Sequence, residues 1–389
     1  MNPAPTETAA PSSAASPAAE LPPPPENGDS PALTATQPPP APVPQPPPLP
    51  VPPPRHPFLF HGNAREFFRI WIVNTLLTLL TAGLFLAWAK VRKRRYLRGC
   101  TELMGHRFDY RARPSRILIG NLIVLIFVLG YALFGVVYPI IRYGVLGAGV
   151  LFLPWIVVRS LSFNAHNTAY RGMRFRFSSQ VSAAAFVYLL EPVLIVITLG
   201  LYYPAWVRSV RRYQVDHHRL GDAYFRFDVP NRQYYRAYIL GALITLAGVL
   251  VGGMLVAVLI GATQNRQPGL LAFLPFLACY GAGAFLGKHF IYGSLFNQVW
   301  NGTRLDQHRF VATMKTERWI GLQAVNLGAI LITGGLLYPW AVIRSQHYVA
   351  SCLTFLPAGE IDGIERMGEK DGSGVGDSAG EFVGLDFGL

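Results

Sequence analysis

Three stretches decide the fold: TAGLFLAWAKVRKRRY at Thr81–Tyr96, TLGLYYPAWVRSVRRY at Thr198–Tyr213 and TGGLLYPWAVIRSQHY at Thr333–Tyr348. Aligned without gaps, each has a Thr, a Gly two residues on and a Tyr thirteen residues after that Gly: Thr81, Gly83, Tyr96; Thr198, Gly200, Tyr213; Thr333, Gly335, Tyr348. Three such copies mark an internal repeat, which sets how the motifs between them are grouped. Each copy ends a long apolar segment. Seven segments are readable: Ile70–Ala89, Ile117–Ile140, Val145–Val158, Ala183–Val207, Ala237–Ala262, Leu270–Phe296 and Ile320–Ile343. Most approach the roughly 20 residues of a bilayer-spanning helix, and the third is short enough for a re-entrant piece. Trp71 and Trp88 bracket the first segment and Trp319 and Trp340 the last, as aromatic residues do at membrane interfaces.

A second element follows the basic patches: TELMGHRFDY from Thr101, TAYRGMRFRF from Thr168, HRLGDAYFRF from His218 and TRLDQHRFVA from Thr303. Phe108, Phe175, Phe225 and Phe310 stand seven residues into each, and Tyr110, Phe177 and Phe227 two further on. Period-two aromatics around a Gly or Asp turn predict short β-hairpins outside the hydrocarbon with one face covered. Phe58-Leu59-Phe60 reads as an unpaired half of the same unit. Thr81 to Thr198 and Phe108 to Phe225 are both 117 residues apart, and Thr198 to Thr333 and Phe175 to Phe310 both 135. The expected fold is therefore mainly α: a polytopic membrane protein of about seven apolar helical segments in a tandem repeat, three plus three plus one, with short β-hairpins in the connectors.

Composition agrees with a membrane protein. Only 14 % of the 389 residues are charged and 51 % are hydrophobic, against about 25 % charged in soluble globular proteins. The net charge of +13 is uneven: residues 1–54 carry four acids and no Lys or Arg, and the tail from Pro357 carries eight acids against Arg366 and Lys370. A basic, apolar middle between acidic tails points to anionic lipid head groups rather than nucleic acid. Residues 1–55, with proline runs such as Pro22 to Pro25, are expected to form a disordered arm, 56–356 a repeat-built transmembrane domain, and 357–389 a disordered acidic, Gly-rich tail. The arm and tail are suited to protein partners. No basic n-region with an apolar h-region opens the chain, so no cleaved signal is expected. Cys100, Cys279 and Cys352 are scattered and odd in number, implying neither a disulfide framework nor a zinc site.

Basic residues also report sidedness. If every segment crosses once, 16 basic residues of the middle fall on one side and 15 on the other; if segments one, four and seven enter and leave on the same face, 29 share one side against Arg142 and Arg266. The second count favours broken or re-entrant segments, with breaks at Thr81/Gly83, at Glu191-Pro192 with Gly200 and Pro204, and at Gly328, Gly334, Gly335 and Pro339. A seven-span inverted repeat is the alternative.

Nine residues before the shared Gly the copies carry Asn74, Glu191 and Asn326. An ionisable group at that depth marks a functional candidate, here a proton- or cation-responsive Glu191 facing the two Asn, or else a packing hydrogen bond. Lys288 is its candidate counter-charge or a snorkelling side chain. Lys90, Arg92, Lys93, Arg94 and Arg95 follow an apolar segment directly and read as lipid-facing anchors. Asp216 with His217-His218 lacks a third metal ligand at a suitable spacing. No nucleophile elbow, phosphate loop, HExxH or paired carboxylates appear, so neither an enzyme nor a cofactor or metal is expected.

The stretch FHGNAREFFRIWIVNTLLTLLTAGLFLAWAKVRKRRY from Phe60, with TLGLYYPAWVRSVRRY from Thr198 and LLYPWAVIRSQHY from Leu336, resembles the YjgN-like family of bacterial inner-membrane proteins, a family defined by a domain of unknown function. The likeness covers roughly His56 to Leu356. It departs from the family's usual Leu-Gly and Pro-Trp signatures at Ala82 and Ala87. The resemblance implies a multi-pass protein of the bacterial inner membrane and brings no reaction or catalytic residues. Two functions are then expected: a permease or channel-like protein for a small solute or ion, or a membrane scaffold that organises lipid through a basic hairpin layer on its cytoplasmic side.

Overall fold

The computed structural model describes residues 54–263 and 270–358. The proline-rich arm, Arg266 and the acidic tail lie outside these residues. The helices come in consecutive pairs. α1 (Ala64–Leu80) is followed by α2 (Leu86–Gly99), and α3 (Pro114–Val137) by α4 (Pro139–His166). α5 (Val181–Ala185) continues through a π turn at Phe186–Leu190 into α6 (Glu191–Ile197), which pairs with α7 (Tyr203–Asp216). α8 (Asn231–Thr263) pairs with α9 (Leu274–Asn301), and α10 (Thr316–Ile332) with α11 (Tyr338–Ser351). The π turn has a local cause: Pro192 has no N–H to donate to the carbonyl four residues back, and the helix widens just before it.

The repeated Thr and Gly make the sharp turns of three of these pairs. Thr81, Thr198 and Thr333 each donate a hydroxyl to the carbonyl four residues back at 2.7 Å, and each accepts the backbone N–H four residues on at 3.0, 3.0 and 3.2 Å. Gly83, Gly200 and Gly335 sit at φ of 92°, 91° and 96°, a region that favours glycine. Their N–H groups reach back five residues to Thr78, Ile195 and Ile330 at 2.7 to 2.8 Å, closing a Schellman-type cap. The repeated Tyr ties the foot of the second helix to the start of the first: Tyr96 Oη accepts from the Asn63 N–H at 2.8 Å and Tyr348 Oη from the Lys315 N–H at 3.3 Å. Tyr213 Oη is buried without a hydrogen-bond partner.

Each pair ends in strands. β3 (Thr101–Leu103) and β4 (His106–Tyr110) follow α2, β5 (Thr168–Tyr170) and β6 (Met173–Phe177) follow α4, and β7 (His218–Leu220) and β8 (Ala223–Phe227) follow α7. β9 (Thr303–Leu305) and β10 (His308–Ala312) follow α9, and β11 (Leu353–Leu356) follows α11. The chain's first described strands, β1 (His56–Pro57) and β2 (Leu59–Phe60), lie at the two ends of the resulting order, β1-β11-β10-β9-β8-β7-β6-β5-β4-β3-β2, antiparallel throughout. Since only Phe58 separates β1 from β2, one short segment holds both edges and the eleven-stranded sheet nearly closes on itself. The helix pairs leave from one rim and the hairpin turns form the other. At that far rim Met104-Gly105 and Arg171-Gly172 both have positive φ, as a two-residue turn matching strand twist requires.

Strand alternation sends one row of side chains inward. Leu103, Tyr170, Met173, Leu220, Ala223, Leu305, Phe310 and Phe355 form the central cluster, with Phe58, Phe108, Phe175, Phe225 and Trp300 against it. Phe108 stacks on Tyr170 at 4.7 Å between centroids and Phe310 meets Phe355 at 5.3 Å. An apolar cavity of about 180 Å³ remains among them.

The expected fold is corrected in two respects. The connector hairpins are not separate short hairpins; they fuse with β1, β2 and β11 into one nearly closed sheet. Nor are there seven spans in a three-plus-three-plus-one repeat. Among the described residues three helices are long and apolar enough to cross a membrane, at Pro114–Leu133, Arg142–His166 and Asn231–Ala262. Segments one, four and seven are each two helices joined by the Thr-Gly turn. Apolarity runs unbroken through those turns, so a hydropathy reading joins what backbone geometry separates. Among the described residues the unit is a helix pair followed by a strand pair, used five times, with β11 completed by β1. In the apolar pair α8 and α9, glycines allow close approach: a Cβ on Gly248 would lie 2.6 Å from the Cys279 carbonyl oxygen.

Candidate functional site: a basic cleft among the helices

Four helices converge on one polar space. α2 contributes Lys90, Lys93 and Arg94, α9 contributes Lys288 and His289, α10 Gln323 and Asn326, and α11 Tyr338 and Ser345; the cleft they enclose measures about 840 Å³. Among the described residues its wall holds four Lys or Arg side chains and no Asp or Glu.

The cations are positioned by neutral groups. Lys93 Nζ donates to Tyr338 Oη at 3.1 Å and lies 5.5 Å from that ring's centroid, a cation–π contact. Arg94 donates to Asn164 Oδ1 at 2.6 Å and Tyr110 Oη at 3.2 Å. Across the cleft, Asn326 and Gln323 both donate to Ser345 Oγ at 3.1 Å, and the Ser345 hydroxyl donates to the Ala341 carbonyl at 2.8 Å. His289 packs on Phe285 at 4.5 Å and Trp319 at 6.0 Å. Lys288 is exposed. Cationic side chains beside amide and hydroxyl donors suit an anion carrying several acceptor oxygens, such as a phosphate group.

Asn326 and Lys288 thus share one site. Glu191 and Asn326 are each engaged within their own helix pair. Asn74, Glu191 and Asn326 are all buried; Asn326 bonds to α11, the second helix of its own pair, and Glu191 has Arg208 and Ser209 of α7 beside it. Neither Glu191 nor Asn74 lines the cleft; Glu191 Oε2 and Asn74 Oδ1 are buried without a hydrogen-bond partner. Lys288 lines the cleft with the α2 cations, and Glu191 does not line it. Of the five basic residues read as lipid-facing, Lys93 and Arg94 turn into the protein, Arg95 Nε donates to the Tyr110 carbonyl at 3.3 Å, and Arg92 lies over Phe85 at 5.9 Å. Lys90 lines the cleft.

The hairpin aromatics point inward. Phe108, Phe175, Phe225 and Phe310 line the sheet interior, while Tyr110, Phe177 and Phe227 lie on the same face nearer the helices and are buried under α2, α7 and α8. A buried face cannot hold a soluble partner. Asp216 accepts from the Phe227 N–H at 2.6 Å and from Arg212 at 3.2 Å; no cluster of three His, Cys, Asp or Glu suited to a metal occurs among the described residues. Sequence reasoning missed Gln323, Tyr338, Ser345 and His289, which carry no local motif. It also missed β11, for which a signal existed: β3, β7 and β11 each begin five residues after the repeated Tyr.

Helix pairs standing on one rim of a nearly closed sheet, with a basic cleft between them, define the class of protein. Residues 55–382 match the family described as bacterial protein of unknown function (DUF898). The chain belongs to that family. The inner membrane protein YjgN of Escherichia coli O157:H7 is 30 % identical over 150 residues, 38 % of this chain and 37 % of the relative, and that of strain K12 is 29 % identical over the same shares. The matched region thus spans little more than a third of these relatives. The Salmonella typhimurium LT2 inner membrane protein YjgN is 24 % identical over 367 residues, 81 % of this chain and 91 % of the relative. No solved structure matches the chain.

Proposed function

We propose that this chain is a multi-pass protein of the bacterial inner membrane that organises anionic lipid, without enzymatic turnover, by holding a phosphate-bearing head group in the cleft between α2, α9, α10 and α11. The observation that carries this reading is the cleft wall, where Lys90, Lys93, Arg94 and Lys288 converge beside Gln323, Asn326 and Ser345, on elements of three helix pairs. Basic pockets between membrane helices recognise anionic head groups in this way. α3, α4 and α8 supply the spans, and the sheet serves as a rigid base at their feet. The inner membrane location rests on the relatives named inner membrane protein. Anionic lipid is the partner, and nucleic acid is not.

The test is phospholipid analysis of the full chain purified in mild detergent. The triple variant Lys90→Gln, Lys93→Gln, Lys288→Gln is expected to lose about tenfold or more of its co-purifying phosphatidylglycerol and cardiolipin, at roughly 1 kcal/mol per cation. Unchanged retention removes the reading. A permease for a small anion is the second reading, favoured by the cleft's room, about 840 Å³, and its amide and hydroxyl lining. It requires Lys288→Gln to slow anion flux in proteoliposomes, which lipid holding alone does not.

A further inference from the structure

The cavity inside the sheet, about 180 Å³, shares no described lining residue with the cleft. Each strand from β3 to β11 turns one side chain into it: a Leu or Tyr from the first strand of every hairpin, a Phe from the second, and Phe355 from β11. Among the described residues eight of its thirteen lining side chains are aromatic, and the rest are three leucines, Met104 and Arg171. Rings packed in pairs hold the wall open: Phe108 stacks on Tyr170 at 4.7 Å between centroids, Phe175 on Phe225 at 6.3 Å, and Trp300 meets Phe310 edge-on at 5.5 Å. Strand register fixes these positions, with Phe108 opposite Tyr170, Phe175 opposite Leu220 and Phe225 opposite Leu305, so closing the space would mean shifting paired strands. The Tyr170 hydroxyl is satisfied by the Leu103 carbonyl at 2.8 Å, and Arg171 has an interaction partner of its own. A water inside would find too few hydrogen-bond partners, and an unfilled space costs its wall dispersion contacts.

We infer that the sheet interior is a binding site for an uncharged, apolar molecule of about the size of one aromatic ring. Size matches: a dry apolar cavity of about 150 Å³ takes up benzene, and this one measures about 180 Å³. Chemistry matches: ring faces and edges surround the space, and an aromatic ligand packs on them in stacked or edge-to-face geometry, while the Met104 thioether adds an adaptable contact. An ionised ligand would lose its water against this wall, where the Arg171 guanidinium is already engaged. A route in exists. Met104 and Arg171 belong to the turns Met104-Gly105 and Arg171-Gly172 on the rim away from the helix pairs, so the cavity reaches that rim. The ligand enters there rather than between the helices. Because nine strands contribute to the wall, a molecule bound inside exists only with the sheet assembled and stabilises that assembly.

Fluorine NMR of fluorobenzene with the full chain in mild detergent tests this. The parent is expected to give a saturable bound signal that unlabelled benzene displaces. Filling the space from within, by Leu220→Phe with Leu305→Phe, is expected to weaken binding about tenfold or more, while far-UV circular dichroism shows the fold kept. Fluorobenzene dissolved in the micelle contributes equally with both proteins, so equal signals from the parent and the filled variant overturn the inference. Displacement by benzoate as effective as by benzene does so too, because the site would then be one for a charged ring. A second measurement needs no filled variant. Iodobenzene quenches a neighbouring indole, and the part of the parent's fluorescence that Trp300→Phe removes is expected to saturate at the iodobenzene concentrations that saturate the fluorine signal. Quenching of Trp300 that rises linearly without a plateau overturns the inference as well. Lipid retention by the cleft is read in a separate assay, so the two readings fail independently.

Discussion

At the scale of single residues, the threefold Thr, Gly and Tyr are structural. Each Thr hydroxyl both donates to the preceding turn and accepts from the following helix, as Thr333 does with Ala329 and Leu337. Thr333→Val removes the acceptor while keeping the shape, and is expected to cost about 1 kcal/mol, as for loss of a cap, seen as a lower thermal midpoint in detergent. Gly335→Ala at φ 96° should cost about 1–3 kcal/mol, because a Cβ there strains the backbone. Titration adds a second signature. Burial holds the imidazoles of His218 and His308 below the ordinary histidine range. The unfolded chain therefore binds protons first, and stability falls as pH drops below about 6.5. Melting curves between pH ~7.5 and ~5.5 should show this fall, and His218→Gln with His308→Gln should flatten it. Without His218 and His308, an undiminished slope would show that other groups carry it.

At the scale of elements, the same motif that announces a repeat also breaks the helix. Hydropathy joins Ile70–Ala89 into one segment, yet Thr81 ends α1 and the chain turns back through Gly83 into α2. The strand pairs were legible because aromatic alternation is local. Their fusion was not, because antiparallel neighbours such as Phe225 and Leu305 stand 80 residues apart in the chain. Packing of α8 on α9 gives an element-level prediction. Gly248→Leu would push a side chain into the Cys279 carbonyl and the Gly283 backbone, forcing the helices apart at about 1–3 kcal/mol. The measurement is loss of folded protein by size-exclusion chromatography after heating.

At the scale of the whole molecule, His56–Phe60 closes the sheet by holding β11 with one half and β3 with the other. The Phe58 N–H donates to the Leu353 carbonyl at 3.0 Å and the His61 N–H to the Cys100 carbonyl at 2.8 Å. Removing residues 54–60 leaves two open edges and an exposed aromatic interior, and aggregation in detergent is the expected outcome. Phe310→Ala inside the sheet should cost about 3–5 kcal/mol by opening a cavity beside the existing one. A smaller loss would mean that the interior collapses around it.

Sequence alone determined the apolar character, the recurring Thr, Gly and Tyr, the hairpin aromatics and the basic charge, because each depends on residues close together in the chain. Tertiary structure alone decided that the hairpins, His56–Phe60 and β11 form one nearly closed sheet, and that Lys90, Lys93, Arg94, Lys288 and Asn326 line one cleft that Glu191 does not. Closure pairs strands some 300 residues apart, and the cleft draws on four helices from three different pairs. No local periodicity carries that information, since it resides in the register between distant strands and in how helix pairs settle against one another on a common rim.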